Sequence, residues 1–291
     1  MQNERPKNSY RLTKVGVTGV VKPVQVTRPG RSLTLTATIE VFVDLPATQK
    51  GAHLSRNLEI VNELVDRSVR EPVASLEALA ETIATELLRR HPYATTSEVS
   101  AHASYFLERT APWGQTSLEP YVLFARANAH RDPPRTERSV GVEVIGMTAC
   151  PCAMETVRES LSRDREGGGR PQDGSPSITH NQRNRTTLVV EEPSGQEVEA
   201  DELIGIVESS MSAPTFELLK RPHEGRIVEM AHRNPKFVED VVREVLDRLL
   251  KAYPTLPDTT RVRVKSESEE SIHKHNAFAE RVTDFGELRA P

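Results

Sequence analysis

The segment SLTLTATIEVFVDL, residues 32–45, constrains the fold more than any other part of this sequence. Apolar residues stand at every second position, which is the pattern of a strand with one buried face and one polar face. Helical spacing replaces this alternation further on, first in Leu58, Val61 and Leu64 and then behind a capping residue, Ser75. A strand followed by a pair of helices predicts an α+β fold in which helices cover the apolar face of a sheet.

Similar segments recur along the rest of the chain. Residues 97–108 and 118–130 are predicted strands, and the proline-rich stretch RDPPRTE, 131–137, indicates a linker or a long turn. We therefore expect antiparallel sheets with paired helices in two related α+β modules, without a clear sequence repeat. The remaining predicted elements are a strand at 139–149, a short helix from Pro151, a strand at 185–192, a helix at 201–211, a helix from Asn234-Pro235 to Pro254 and a strand at 259–268.

The predicted domain organisation has three parts. Residues 1–30 are expected to form an irregular N-terminal lead-in, in which KVGVTGVVKPVQV could contribute short extended pieces. Residues 31–134 are expected to form the first module and residues 135–291 the second module. The Gly-, Pro- and Ser-rich stretch 165–177 is expected to be a flexible loop inside the second module.

Composition argues against two classes of partner. The chain has 38 basic and 42 acidic side chains, a formal net charge of −4 and no long run of either sign, so we expect neither a nucleic-acid surface nor a polybasic membrane patch. The N-terminal residues lack an apolar segment, and no apolar stretch approaches the roughly 18 residues of a membrane span. The expected location is the cytoplasm.

The glycine-rich phosphate-binding patterns GxGxxG and GxxxxGK[ST] are missing from the sequence.

Both cysteines lie in one segment, GMTACPCA, with a proline between them. If Pro151 is the first residue of a helix, Cys150 is its N-cap, where unsatisfied backbone N–H groups favour a thiolate. A thiolate is a good metal ligand or nucleophile, so Cys150 is a candidate for either role. The alternative is that Cys150 and Cys152 are small buried apolar residues without chemistry, and the sequence assigns no role to Cys152.

Other candidate metal ligands lie far from Cys150 in the sequence. Glu208 falls on the same side of a predicted helix as Ile204, and a carboxylate on an apolar face is costly unless a cation, a metal or a donor meets it. The alternative is that Glu208 reaches solvent at the edge of that face. His180 follows a flexible loop, and His273 and His275 share one face if their segment is extended. Thiolate, imidazole and carboxylate together suit a divalent transition metal.

A basic cluster, KGAHLSRN (50–57), stands where the first helix is predicted to begin. Lys50, His53 and Arg56 near a helix N-terminus suit a phosphate or another anion. A solvated loop capped by Ser55 accounts for the same residues without a ligand.

In their order along the chain, these segments resemble the type IB GTP cyclohydrolases, and within them the archaeal branch of methanopterin biosynthesis. The family pattern has Asp where this chain has His223, and a small Gly or Ala where it has Thr179. The motifs that carry the resemblance cover most of the chain: KVGVTGV, EVFVDLPATQKGAHLSRN, GMTACPCA, THNQR, ESSMSAPTFELLKRPHE, KFVEDVVRE and ESIHKHNAFAERV.

The resemblance implies a tunnelling fold and a homotetramer, or a homodimer, with active sites at subunit interfaces. It also implies a divalent metal, Fe(II) in the archaeal branch and Zn(II) or Mn(II) in relatives. By motif, the metal ligands are Cys150, His180 and Glu208.

The resemblance further implies that GTP is the substrate and that Glu217 anchors its guanine ring, with His273 or His275 transferring protons. Our own candidates for further substrate contacts are Lys50, His53 and Arg56 for the triphosphate, together with Gln182 and Arg183.

The implied reaction is hydrolytic opening of the guanine imidazole ring at C8 by water that the metal activates. Formate leaves, and the product is 7,8-dihydroneopterin 2′,3′-cyclic phosphate. One alternative is the same chemistry ending at 7,8-dihydroneopterin triphosphate, for tetrahydrofolate-type pterins. Another is a non-catalytic tunnelling-fold protein that binds a purine or pterin, which needs Glu217 but no metal ligands. A third is a structural metal site closed by four ligands.

Overall fold

The computed structural model describes residues 2, 4–28, 31–163, 177–193 and 196–290. The loop predicted at 165–177 lies outside the described residues, except for Ser177. None of the helices in the described ranges has the length and apolar character needed to cross a membrane.

Two compact units share the chain, and each is contributed by several segments. The module boundary predicted at residues 134/135 stays a prediction. Unit 1 contains residues 1–105, 122–141 and 191–197, and unit 2 contains residues 106–121, 142–190 and 198–291.

Unit 1 is built on antiparallel strands that are followed by two helices. Strand β1 (Leu12–Arg28) pairs with β2 (Arg31–Leu45), and β2 pairs with the first part of β3 (Thr96–Thr110). Helix α1 (Leu54–Arg70) packs against β1, and α2 (Leu76–Arg90) packs against β2. The alternation predicted for β2 is confirmed by its buried residues, Leu35, Ala37, Ile39, Val41 and Val43.

The irregular lead-in predicted for residues 1–30 is wrong for most of its length, because β1 occupies Leu12–Arg28. The pairing of β1 with β2 shifts register twice, between Leu12 and Val15 and between Val17 and Val20. Such bulges place an extra residue in the strand and interrupt the period of two. The apolar pattern of β1 is therefore irregular although the strand is long.

Three strands, β3, β4 (Thr116–Arg131) and β5 (Pro134–Ala149), are divided between the units. Strands β3 and β4 are neighbours joined by a short turn, in which Gly114 has a φ of 82° that favours glycine. A tight turn at residues 132–133 joins β4 to β5, in place of the linker or long turn predicted from RDPPRTE.

Unit 2 combines antiparallel strands with packed helices. Strand β6 (Asn181–Glu192) pairs with β8 (Arg261–Glu269), which pairs with β9 (Ala277–Asp284). Helices α4 (Ala200–Ser210) and α6 (Val238–Ala252) pack on each other, and α6 also packs on β8 and β9. The other elements are α3 (Pro151–Arg163), β7 (Ala213–Pro214), which pairs with β5, α5 (Arg221–Arg233) and α7 (Phe285–Arg289).

The helix predicted to begin at Asn234-Pro235 begins instead at Val238, and a helix that the sequence did not predict, α5, ends just before it. Asn234 is not an N-cap of α6, because its side chain donates to the carbonyls of Met211 and Ser212 at 3.1 and 3.3 Å. The side chain of Asp240 accepts from the backbone N–H at the true start of the helix. Asn234 therefore makes a tertiary contact, although its local sequence predicts it as the N-cap of α6.

A fully buried histidine, His91, follows α2 in unit 1. Its Nε2 lies 2.8 Å from Asn57 Oδ1, and its Nδ1 lies 2.8 Å from the hydroxyl of Tyr93. With Nε2–H donating to the amide oxygen, Nδ1 is free to accept from the tyrosine. Burial, and then the charges of Arg56 and His53, lower the pKa of His91 to about 4. The ring is therefore neutral at pH 7.

We expect the free energy of unfolding to fall as the pH is lowered from 6.5 to about 4. In that window the unfolded chain binds a proton at His91 and the folded chain does not, so added protons favour unfolding. Urea unfolding at pH 7 and pH 5 measures this for the wild type, for His91→Gln and for His102→Gln, an exposed control. The loss between the two pH values should shrink only in His91→Gln, and an equal loss in all three proteins would contradict the assignment.

Candidate active site

Cys150 lies at the junction between β5 and α3. Helix α3 begins at Pro151, and the Cys150 thiol accepts a hydrogen bond from the backbone N–H of Ala153 at 3.4 Å. The N-cap position predicted from the sequence is therefore confirmed. Cys150 is half-buried, Cys152 is exposed and both are free thiols, so the two cysteines lie in different environments.

The backbone of Cys150 is bound to the segment that carries His180. The Cys150 N–H donates to the His180 carbonyl at 3.1 Å, and the hydroxyl of Thr179 donates to the Cys150 carbonyl at 2.7 Å. These two bonds place the thiol and the imidazole on adjoining backbone segments. The second bond is specific to Thr179, because the Gly or Ala of the family pattern has no hydroxyl to donate.

The imidazole of His180 is oriented by a buried amide. Gln182 Nε2 donates to Thr148 Oγ1 at 3.2 Å and to Glu270 Oε1 at 3.3 Å, which makes the amide oxygen the acceptor. That oxygen lies 2.9 Å from His180 Nδ1, so Nδ1 carries a proton and Nε2 keeps a lone pair. An imidazole in this state is suited to bind a metal through Nε2 or to accept a proton there.

Gln182 is one end of a polar network buried in unit 2. Fully buried Asn184 donates to the hydroxyls of Ser266 and Ser268 at 3.0 and 3.1 Å. The hydroxyl of Ser268 lies 3.3 Å from that of Thr148, which accepts from Gln182. A buried network whose groups bind one another favours a single geometry, so it fixes Gln182 and, through it, the ring of His180.

The two predicted substrate contacts next to His180 differ in their surroundings. Gln182 is buried, and both ends of its amide are bound to protein groups. Arg183 is exposed on β6, opposite Glu269 of β8. Gln182 therefore acts on His180 directly, whereas Arg183 is accessible to a ligand.

The segment after β8 carries both candidate proton-transfer histidines. It starts beside His180, whose Nδ1 lies 3.4 Å from Ser271 Oγ and 3.8 Å from Glu270 Oε2. His273 and His275 are exposed, and their rings stack with centroids 5.2 Å apart and an interplanar angle of 17°. The segment is a series of bends rather than a strand. Ring stacking, not an extended backbone, therefore brings the two imidazoles together.

Glu208 on α4 is bound by a cation and a hydroxyl within unit 2. Arg109 donates to one carboxylate oxygen, and the hydroxyl of Tyr121 donates to the other at 2.5 Å. Burial and then the bond to Glu208 raise the pKa of Tyr121 above its ordinary value, so the tyrosine remains a donor. The Glu208 side chain is 12% exposed, and its charge is met by partners instead of reaching solvent at the edge of the apolar face.

The predicted metal ligands suit a divalent metal in their chemistry, but only two of them adjoin. Cys150 and His180 share a backbone hydrogen bond, and Glu208 is engaged by Arg109 and Tyr121. Among the described residues, no group of three or more His, Cys, Asp or Glu side chains comes together in a way that could hold a metal ion. The described part of one chain thus places two of the three donor residues on adjoining backbone segments.

Glu217, the predicted guanine anchor, lies on the loop between β7 and α5. Its side chain is exposed, and its backbone N–H donates to both carboxylate oxygens of Glu119, at 3.0 and 3.2 Å. Glu119 is buried on β4 and also accepts from the hydroxyl of Ser117 at 2.5 Å. The backbone of the loop is therefore tied to β4, while the Glu217 side chain stays accessible.

Aromatic contacts hold the residues on either side of Glu217. Trp113, in the turn between β3 and β4, stacks on His223 with centroids 4.4 Å apart and meets Phe216 edge-on at 5.4 Å. His223 Nδ1 also accepts the backbone N–H of Lys220 at 3.3 Å, at the start of α5. An acidic side chain often accepts at this helix position, and in this chain His223 accepts there instead.

The predicted phosphate-binding residues lie at the N-terminus of α1 in unit 1. The N-cap of α1 is His53, without a side-chain cap, so Ser55 does not cap the helix. Lys50 is exposed, and Arg56 donates to the backbone carbonyl of Arg90 at 3.2 Å. Lys50, His53 and Arg56 therefore lie at or next to the N-terminus of α1, where the sequence predicted them, and Lys50 also lies 3.8 Å from the carboxylate of Glu4.

The residues of β3 and β4 that hold Glu208 and Glu217 are not among those predicted from the sequence. One signal was present, because the buried positions of β4 alternate through Glu119, Tyr121 and Leu123. A carboxylate on such a face needs a partner. Arg109 carried no comparable signal, since its partner lies 99 residues away in the sequence.

Comparison with known proteins gives a consistent relationship over the whole chain. A family model described as type I GTP cyclohydrolase folE2 matches residues 1–279. GTP cyclohydrolase MptA of Methanothermobacter thermautotrophicus is 43% identical over 298 residues, covering 99% of this chain and 94% of that protein. GTP cyclohydrolase MptA of Methanococcoides burtonii is 43% identical over 301 residues, covering 99% and 95%.

Solved structures with a similar fold are much more distant in sequence. Uricase from Arthrobacter globiformis has a TM-score of 0.55 at 10% identity and covers 93% of both chains. A highly active mutant of Bacillus sp. TB-90 urate oxidase has a TM-score of 0.52 at 12% identity, covering 94% of this chain and 100% of that one. At such identities the likeness concerns the fold alone, and it confirms the tunnelling fold.

Fold and site together define a tunnelling-fold protein with a thiol and an imidazole on adjoining segments. Within that class, the full-length family match and the archaeal relatives decide the family. The chain belongs to the type I GTP cyclohydrolase family.

We expect Tyr121→Phe to lower the free energy of unfolding by about 2 kcal/mol, because the partly buried carboxylate of Glu208 loses a hydrogen-bond donor. Arg109 remains as its ionic partner, so the fold should persist. Urea unfolding measures the change, with Tyr10→Phe as a control at a side chain that is 79% exposed. Equal stabilities of the two variants would show that the Tyr121 hydroxyl contributes nothing.

Proposed function

We propose that this chain is a metal-dependent GTP cyclohydrolase that opens the guanine ring of GTP at C8. Formate leaves from the opened ring and diphosphate leaves from the triphosphate, and the product is 7,8-dihydroneopterin 2′,3′-cyclic phosphate for methanopterin-type pterins. The observation that carries the proposal is the Cys150–His180 pair, held by one backbone hydrogen bond and by the bond from the Thr179 hydroxyl to the Cys150 carbonyl, in a chain of this family. Relatives named GTP cyclohydrolase MptA support the same substrate and branch.

In this proposal Cys150 and His180 hold the metal, with Glu208 as the third ligand. Each Glu208 oxygen takes one bond from Arg109 or Tyr121, and a carboxylate oxygen keeps a further lone pair. Fe(II) is the expected ion, with Zn(II) or Mn(II) as alternatives that the same donors accept. When bound, the metal supplies Lewis acidity that activates water for attack on C8.

The chain's own residues hold the substrate and move protons. Exposed Glu217 binds the N–H donors of the guanine ring, which fixes C8 relative to the other groups. His273 and His275, stacked on the segment that starts beside His180, are the proton carriers. Gln182 contributes by orienting His180.

The triphosphate is assigned to the N-terminus of α1, with Arg183 as a further contact. Lys50 and Arg56 supply positive charge, His53 stands beside them as the N-cap residue, and the N-terminus of the helix carries a partial positive charge. A homotetramer or homodimer would complete the site with residues from a second copy of the chain. The cytoplasmic location also remains a prediction.

One observation favours a second candidate, a purine- or pterin-binding protein without turnover. The described residues do not gather three metal donors in one place, and Glu217 alone would suffice to anchor a base. Formation of 7,8-dihydroneopterin triphosphate is a variant of the main proposal rather than a separate class.

The decisive experiment is anaerobic incubation of the Fe(II)-reconstituted protein with GTP, with formate and pterins identified by mass. Formate together with the cyclic phosphate is the expected outcome. Formate with the triphosphate would overturn the product assignment only. If no formate forms with Fe(II), Mn(II) or Zn(II) although GTP binds tightly, the cyclohydrolase proposal is wrong and the chain is a purine- or pterin-binding protein without turnover.

We expect Cys150→Ala to lose bound metal and activity together, because the variant removes a thiolate ligand. Cys152→Ala is the matched control, since its thiol is exposed and one residue away. It should keep its metal and at least part of its activity. Metal content per chain, measured by atomic emission after reconstitution, is the readout, and a reversed order of the two variants would mean that Cys152 is the ligand.

A further inference from the structure

We infer that Glu119 is a positioning residue for the guanine anchor, and that the turn between β3 and β4 acts with it as a clamp on the loop that carries Glu217. The inference rests on the proposed role of Glu217 and extends it. It assigns the preference for guanine to a buried carboxylate that does not itself contact the base.

The position of Glu119 is unusual for a charged residue. It is 5% exposed and shares the buried face of β4 with Tyr121 and Leu123. Its carboxylate oxygens accept from the backbone N–H of Glu217 and from the hydroxyl of Ser117. A buried carboxylate is costly without such donors, so the loop N–H and Glu119 stabilise each other.

The loop needs such a partner because it has no regular structure of its own. Residues 215–220 lie outside helices and strands, and the side chain of Glu217 is exposed. Without an external hold on its backbone, the anchor would sample many orientations, and ordering it on binding would weaken affinity. The bond to Glu119 fixes the backbone at Glu217 itself.

Trp113 restrains the same loop from its two sides. Its indole meets Phe216, directly before Glu217, and stacks on His223 at the start of α5. The indole Nε1 is buried and has no hydrogen-bond partner in the described part of the chain. Packing, and not a polar bond, therefore holds Trp113 in place, and its function is to shape the loop.

A fixed Glu217 has a consequence for specificity. A carboxylate that accepts from both N1–H and the 2-amino group distinguishes guanine from hypoxanthine, which lacks the amino group. If the Glu217 carboxylate is displaced, we expect it to lose its contact with the 2-amino group first. Loss of Glu119 should therefore weaken the binding of GTP more than the binding of ITP. A general loss of stability does not produce this difference.

The test compares Glu119→Ala, Glu119→Gln and the control Glu108→Ala, an exposed residue of β3. KM and kcat for GTP are measured together with the dissociation constants of GTP and ITP by calorimetry. We expect Glu119→Ala to raise the KM for GTP by about tenfold, the cost of one hydrogen bond to a charged group, with a smaller change in kcat. Its preference for GTP over ITP should shrink by a similar factor.

Glu119→Gln should recover most of the affinity, because its amide oxygen still accepts from Glu217 and its amino group can donate to Ser117. Glu108→Ala should match the wild type. If Glu119→Ala is too unstable to purify, Trp113→Phe decides instead, because it should reduce the preference for GTP while Glu119→Gln keeps a preference close to that of the wild type. An unchanged preference for GTP over ITP in Glu119→Ala, or in Trp113→Phe where that variant decides, would overturn the inference.

Glu217→Ala separates this inference from the proposed function. If Glu217→Ala abolishes the preference for GTP and adding Glu119→Ala changes nothing further, the two residues act as one unit, as the inference requires. If their effects multiply, Glu119 acts elsewhere and the inference fails while the function stands. If Glu217→Ala leaves the preference intact, the anchor itself is misassigned and the inference falls with it. The binding measurements give these answers even if no formate is released.

Discussion

Burial of negative charge is the constraint on which the candidate site in unit 2 depends. Glu119 and Glu208 are carboxylates withdrawn from water, and each would destabilise the fold if donors did not surround it. Strands β3 and β4 supply Arg109 and Tyr121 for Glu208, and the loop after β7 supplies the N–H of Glu217 for Glu119. The bonds that compensate the charges therefore also fix α4 and the loop in place.

A second set of bonds joins the backbone segments that carry the thiol of Cys150 and the imidazole of His180. The backbone pairing of Cys150 with His180 is independent of their side chains, so it leaves both free for chemistry. The polar network that ends at Gln182 then selects the protonated nitrogen of His180. The backbone bonds therefore set the positions of Cys150 and His180, and the polar network sets which nitrogen of His180 carries the proton. Thr179 contributes to the positions through its bond to the Cys150 carbonyl.

The fold by itself says little about the reaction. Uricase from Arthrobacter globiformis has the same fold at 10% identity, so shared architecture can carry different residues at its sites. The family rests instead on long motifs that match along residues 1–279. The departures from these motifs are absorbed locally, as His223 shows by accepting a backbone N–H where an acidic residue would do so.

The sequence by itself determined the elements whose pattern is local. The strand β2, the helix pair α1 and α2, and the N-cap at Cys150 followed from spacing and capping preference, because these depend on neighbours within a few residues. Motifs also identified the family. Only the tertiary structure decided that β1 is a strand interrupted by bulges, that Asn234 serves a contact instead of a cap, and that Glu119 meets Glu217. These outcomes depend on partners tens of residues away, whose pairing a local pattern does not encode.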